Sequence, residues 1–67
     1  MQKIEELENR LEENGGLDID HLKYCYRDDF RNHRFNGDFK TWFISFIMNH
    51  EDVSRYLANR YYWRNIA

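Results

Sequence analysis

His21 and Cys25 stand four positions apart, the spacing that brings an imidazole and a thiol onto one helical face. Such a pair can begin a zinc site or a nucleophile–base couple, but each needs further members. This is the only cysteine, and the other two histidines, His33 and His50, are scattered, so no zinc spacing is completed. Asp28, Asp29 and His33 can be drawn as an acid–base cluster, yet an aspartate and a histidine four apart are the ordinary furniture of a solvated helix flank. No glycine-rich phosphate loop and no nucleophile elbow occurs. The expectation is a protein with no catalytic residues, no metal and no cofactor, which acts by binding.

Residue types suited to binding are concentrated near the end. From Val53 to Ala67 there are three arginines, Arg55, Arg60 and Arg64, and no acid. Asn59 lies among them, and Tyr61-Tyr62-Trp63 follows. Successive helical residues point ~100° apart, so these three rings cannot all enter one core. At least one must meet solvent, a second subunit or a ligand.

The elements that must hold these residues follow from periodicity and punctuation. Proline is absent, which removes the commonest helix breaker. Residues 1–14 form a helix with a thin seam of Ile4, Leu7 and Leu11. With Ile4 at heptad position a, Leu7 is d and Leu11 is a, while Lys3 and Glu8 fall at g and e, the pattern of a two-stranded coiled coil. A polar helix whose seam rests on its own domain is the alternative. Gly15-Gly16 ends the helix, and Asp18 or Asp20 caps the next. Ile19, Leu22, Tyr26, Phe30 and His33 then define one buried face. Asn36-Gly37 is a turn, and Asp38 caps a third helix over about 39–49. Phe39, Trp42, Phe43, Phe46 and Ile47 line one side of it, with Ile44 and Met48 on another. A helix so apolar all round is central or at an interface. The fourth helix, about 51–65, is expected to bury Val53, Tyr56 and Leu57.

The chain divides by composition into two pieces. Residues 1–16 carry a net charge of −3, and residues 17–67 carry +1 together with all twelve aromatics. The expected organisation is therefore an acidic coiled-coil-like segment, 1–16, and a three-helix domain, 17–67. A chain of 67 residues has little core of its own, so a homodimer is expected, joined through Ile4, Leu7, Leu11, Ile44, Met48 and Trp63. The single cysteine fits a reducing, cytoplasmic setting and leaves a bridge between two copies open. Membrane attachment would require an anchor before residue 1.

The run Val53-Ser54-Arg55-Tyr56-Leu57-Ala58-Asn59-Arg60 resembles the recognition helix of homeodomains, which place a valine, an aromatic, a large apolar residue and then Asn-Arg at these intervals. Leu22 and Tyr26 match the spacing of that family's first helix, with Val53 following 27 residues after Tyr26. The resemblance implies an all-α, homeodomain-like fold whose last helix meets the DNA major groove through Arg55, Ala58, Asn59 and Tyr62. Asn59 would then suit adenine, and Arg60 and Arg64 would hold phosphates. Two departures stand out. Tyr56 and Tyr61 replace the family's tryptophan and a basic residue, and an acidic helix stands where the basic minor-groove arm would be. A short coiled coil before a small aromatic-rich unit of this kind is also similar in architecture to the replication-organising proteins of phi29-type Bacillus phages. That likeness implies dimeric binding of duplex or single-stranded DNA with little sequence preference, with Arg31, Arg34, Lys40, Arg55, Arg60 and Arg64 as candidates for phosphates and Tyr62 or Trp63 for stacking on exposed bases. The alternative is a small adaptor or phage-type inhibitor directed at a protein partner, suggested by the acidic first helix and the overall charge of −2.

Overall fold

The computed structural model describes residues 3–67, which are all-helical, without strands. Four helices follow in order, α1 (Ile4–Glu13), α2 (Ile19–Arg31), α3 (Phe39–Glu51) and α4 (Arg55–Asn65). Three of them start where a short polar side chain captures a free amide of the first turn. Asp18 accepts from the His21 amide at 3.1 Å, Asp38 from that of Thr41 at 2.8 Å, and the Ser54 hydroxyl from that of Leu57 at 3.1 Å. Gly15 and Gly16, both with positive φ, stop α1, and the Gly16 amide donates to the Leu11 carbonyl. Asp52 stops α3 in the left-handed conformation. Because Asp52 is used as a stop, the last helix begins at Arg55 and not near residue 51, and Val53 lies in the connection before it.

One core unites residues from both compositional pieces. Ile4, Leu7 and Leu11 of α1 are buried with Leu22 of α2, with Phe43, Ile44 and Ile47 of α3, and with Leu57, Ala58 and Tyr61 of α4. The helix α3 lies between α2 and α4, and α1 packs on α4. The boundary at residue 16 is thus one of composition and not of packing. The coiled-coil assignment is corrected on the same ground. Leu7 is 0 % exposed in the single chain, and its two neighbours in the seam are nearly so, which leaves no apolar stripe on α1 for another copy. Glu8, assigned to an e position, reaches Arg64 of the same chain.

The placement of Ile44 at a dimer interface is corrected too, since it belongs to the core, and Met48 packs half-buried against the same cluster. Phe43, Ile44 and Ile47 of α3 are buried in the shared core, while Phe39, Trp42, Phe46 and Met48 are half-buried against it. On α2, Leu22 is buried and Tyr26 half-buried as expected, but Phe30 is exposed and His33 lies beyond the helix with φ 61°. Tyr26 is the hub of that side. Its ring meets Phe30, Phe35, Phe39 and Trp42 at centroid distances of 5.7–6.2 Å, and its hydroxyl donates to the Gly37 carbonyl at 2.7 Å.

Two carboxylates, Glu51 and Glu8, make long-range ion pairs across the bundle. Arg10 donates to Glu51 through Nε at 2.8 Å and also reaches the Glu51 carbonyl, while His50 Nδ1 lies 2.6 Å from the other Glu51 oxygen. Burial pushes the Glu51 carboxyl up, but the bonds from Arg10 and His50 outweigh it and hold the group below its usual range. Glu8 is also held low, by Arg64 first and then Asn65. A carboxylate with a lowered folded-state pKa adds stability above its unfolded pKa of about 4.3 and loses it as the pH falls through the lower, folded value. The melting temperature should therefore be level near neutrality and drop below about pH 4.5. Glu51→Gln should reduce that drop in a circular-dichroism pH series, and an unchanged acid limb in this variant would refute the assignment.

Candidate nucleic-acid interface

The setting of α4 about its own axis decides which of its residues are available. Leu57, Ala58 and Tyr61 face inward, and Ala58 is 0 % exposed. The opposite ridge consists of Tyr56, Asn59, Arg60 and Trp63, at i, i+3, i+4 and i+7. Tyr56 and Trp63 are 66 % and 57 % exposed, so the two rings stand out from the surface along with Arg60. The ridge implied by the homeodomain resemblance, Arg55-Ala58-Asn59-Tyr62, lies roughly 90° away around the helix. Ala58 cannot reach a ligand from there, and Tyr62 is half-buried with its ring 6.0 Å from that of Phe43. The cause is a choice among apolar residues: Ala58 and Tyr61 enter the core in place of Val53 and Tyr56. Tyr61 stacks on Phe43 at 6.1 Å, and burial pushes its hydroxyl pKa up. Of the three successive aromatics, Tyr61 is inside, Tyr62 is at the edge and Trp63 is out.

Arg55 and Tyr62 point from α4 toward α3, and Arg64 points toward α1. Between α3 and α4 runs a groove of roughly 470 Å³, lined by Lys40, Thr41, Arg55, Tyr56 and Asn59 with Ile44 beneath. Lys40 Nζ also sits 4.8 Å over the Trp63 ring, and the Arg60 guanidinium lies 6.0 Å from the Tyr56 ring. Cation and exposed ring are thus paired twice on one face. Among the described residues, Lys40, Arg55 and Arg60 have no carboxylate within ion-pair distance.

The other candidate cations are differently placed. Arg34 bonds Asp28 at 2.6 Å and Asp29 at 3.0 Å. Asp29 in turn accepts from Trp42 Nε1 at 2.9 Å, and these bonds, Trp42 first and Arg34 second, hold its carboxyl below the usual range. Asp29 thus ties Trp42 of α3 to the end of α2, and Arg34 is held beside it by Asp28 and Asp29. Arg64 is held by Glu8 in a two-pronged pair at 3.1 Å, and Asn65 adds a third bond to the same carboxylate at 2.8 Å. Arg31 is exposed on α2, apart from the α3–α4 groove. A second groove, on the α2–α3 side, is lined by Asp29, Arg34 and the stacked rings of Trp42, Phe46 and His50. Its one arginine is already neutralised.

His21 and Cys25 do meet, with Nε2 3.6 Å from Sγ. No cluster of three His, Cys, Asp or Glu able to hold a metal occurs among the described residues. Nor is any helix there long and apolar enough to cross a membrane.

Of the residues singled out from the sequence, Lys40, Arg55, Asn59 and Arg60 lie together on this face. Tyr56, expected in the core, stands exposed beside them, and Glu8, assigned to a partner chain, meets Arg64 of its own chain. A four-residue step along α4 links Tyr56 to Arg60 and could have shown that exposure. Nothing local points Glu8 at a residue 56 positions on. No protein family, curated protein or solved structure matches this chain, and what it does is read from this geometry.

Proposed function

We propose that this chain is a non-enzymatic nucleic-acid-binding module with little or no sequence preference, and that its contact face is the outward ridge of α4 with the adjoining α3–α4 groove. The observation that carries this reading is the grouping of Lys40, Arg55 and Arg60, all without carboxylate partners among the described residues, beside the exposed rings of Tyr56 and Trp63. The cations suit phosphates, and the rings offer stacking surfaces that accept any base. Asn59 is the ridge's one side chain fitted to a base edge, which supports weak sequence preference at most. One chain supplies the whole face, so the reading needs no dimer.

Binding that rests on phosphate contacts releases counterions and must weaken as salt rises. In a fluorescence-anisotropy titration with duplex and single-stranded oligonucleotides, affinity is expected to fall steeply between ~50 and ~200 mM salt. Absence of binding to either form at ~50 mM salt would end the proposal.

A protein partner is the second reading, favoured by one observation. Tyr56 and Trp63 are exposed aromatics of the types that dominate protein–protein hot spots, on a chain with a net charge of −2. The two readings part at Arg60→Ala. It should weaken a nucleic-acid complex measurably and matter little to a partner seated on Trp63.

A further inference from the structure

Three donors converge on the Glu8 carboxylate, and they have no role yet in the contact face. Arg64 presents Nε to one Glu8 oxygen and Nη2 to the other, both at 3.1 Å, and Asn65 Nδ2 donates to the first at 2.8 Å. Arg60 stands near enough to act on the same carboxylate through space. A guanidinium fork joined by an amide, aimed at two oxygens of a planar anion, is also the arrangement that holds a phosphate. The carboxy-terminal end of a helix repels anions, so these donors and not the backbone hold Glu8 there.

Nor is Glu8 required to fasten α1. That helix is anchored by the burial of Ile4, Leu7 and Leu11 and by the Arg10–Glu51 pair. The Glu8 side chain is only partly covered, and the Arg64 side chain is nearly half exposed. The carboxylate can swing into solvent while the helix remains docked.

We propose that Arg64 and Asn65, with Arg60 beside them, form a phosphate-binding site that Glu8 fills in the free protein and gives up when a nucleic-acid backbone arrives. This inference rests on the nucleic-acid reading above, and it extends the contact face by one phosphate past Arg60. Glu8 acts as a built-in competitor: it lowers affinity for isolated or weakly held phosphates and yields to a strand already engaged by Lys40, Arg55 and Arg60.

The test is the salt dependence of binding to a fluorescein-labelled oligothymidylate, measured for the full chain and for Glu8→Gln. The amide keeps an oxygen for Arg64, so the fold is retained, but it no longer holds the guanidinium as an ion. Glu8→Gln should bind more tightly at each salt concentration with the log–log slope unchanged, because Arg64 meets the same phosphate in both once Glu8 is displaced. Adding Arg64→Gln should remove that gain and lower the slope by about 0.7, the share of one phosphate on a single strand. Glu12→Gln, which removes an equal charge from the exposed side of α1, should leave the affinity nearly unchanged. A measurement on the unmodified chain supports the same conclusion independently: Glu8 titrates below the usual range when free and should move back toward it when the oligonucleotide saturates the protein, as read by carboxyl-carbon NMR.

An unmodified chain that binds while Glu8→Gln binds no more tightly than Glu12→Gln would overturn the site and leave the nucleic-acid reading standing. Failure of the unmodified chain and Glu8→Gln alike to bind would remove both.

Discussion

Leu7→Ala is expected to unfold much of this protein, although Leu7 lies on a helix that composition sets apart from the rest. The side chain is 0 % exposed and shares a core with Phe43, Ile47 and Tyr61. Truncating a buried leucine costs about 2–5 kcal/mol, from lost transfer free energy and the cavity left behind. At average per-residue stabilities a chain of this size has roughly 3–10 kcal/mol in total. The substitution therefore removes a large fraction of what is available, and in the lower half of that range nearly all of it. Both tryptophans, Trp42 on α3 and Trp63 on α4, are remote in sequence from α1, so their fluorescence reports on the remainder of the fold. A urea titration followed by that signal should shift to much lower denaturant in the variant. If instead the tryptophan transition stays in place while only some helicity is lost, α1 is a detachable arm, and the single core described here is wrong.

Neutralising the contact face is expected to have the largest effect on binding. The variant Lys40→Gln, Arg55→Gln, Arg60→Gln removes the three cations that have no carboxylate partner among the described residues. If each meets one phosphate, the log–log salt slope should fall by about 2 for a single strand and slightly more for a duplex. Binding at ~100 mM salt should then be lost or nearly so. The matched control is Arg34→Gln, one of the cations first expected to contact DNA. Because Arg34 is committed to Asp28 and Asp29, its removal should leave the slope unchanged. It should lower stability somewhat by loosening the α2–α3 connection. Equal loss of affinity in Arg34→Gln and the triple variant would mean that binding follows net charge and not this surface.

The triple variant also separates the two functional readings. All three positions are at least partly exposed and none belongs to the core, so a folded protein is expected. Nucleic-acid binding that is absent or unchanged by the triple substitution, alongside a protein partner that the variant retains and Trp63→Ala loses, would assign the face to the partner.

What could be read along the chain was whatever is decided within a few residues. Asp18 and Asp38 capture amides three positions on, and Gly15-Gly16 takes positive φ, so helix existence and the starts of α2 and α3 were open to inspection. The seam of Ile4, Leu7 and Leu11 announced that one face of α1 would be dry. An apolar stripe, however, carries no record of what covers it, and a coiled-coil partner and the chain's own core make the same demand on the pattern.

Only packing settled that question, by placing α1 against α4 and so covering apolar surface that otherwise called for a second copy. Packing also set the rotation of α4. Two overlapping sets of apolar residues, one with Val53 and Tyr56 and one with Ala58 and Tyr61, compete for the same core, and spacing does not rank them. Close fit against Phe43 does, and with it the identity of the outward ridge. The charges follow the same logic. Ion pairs such as Arg10–Glu51 and Arg64–Glu8 join residues 41 and 56 apart, so which arginines remain available to a ligand is a property of the folded surface, where distance in space and not in sequence determines the energy.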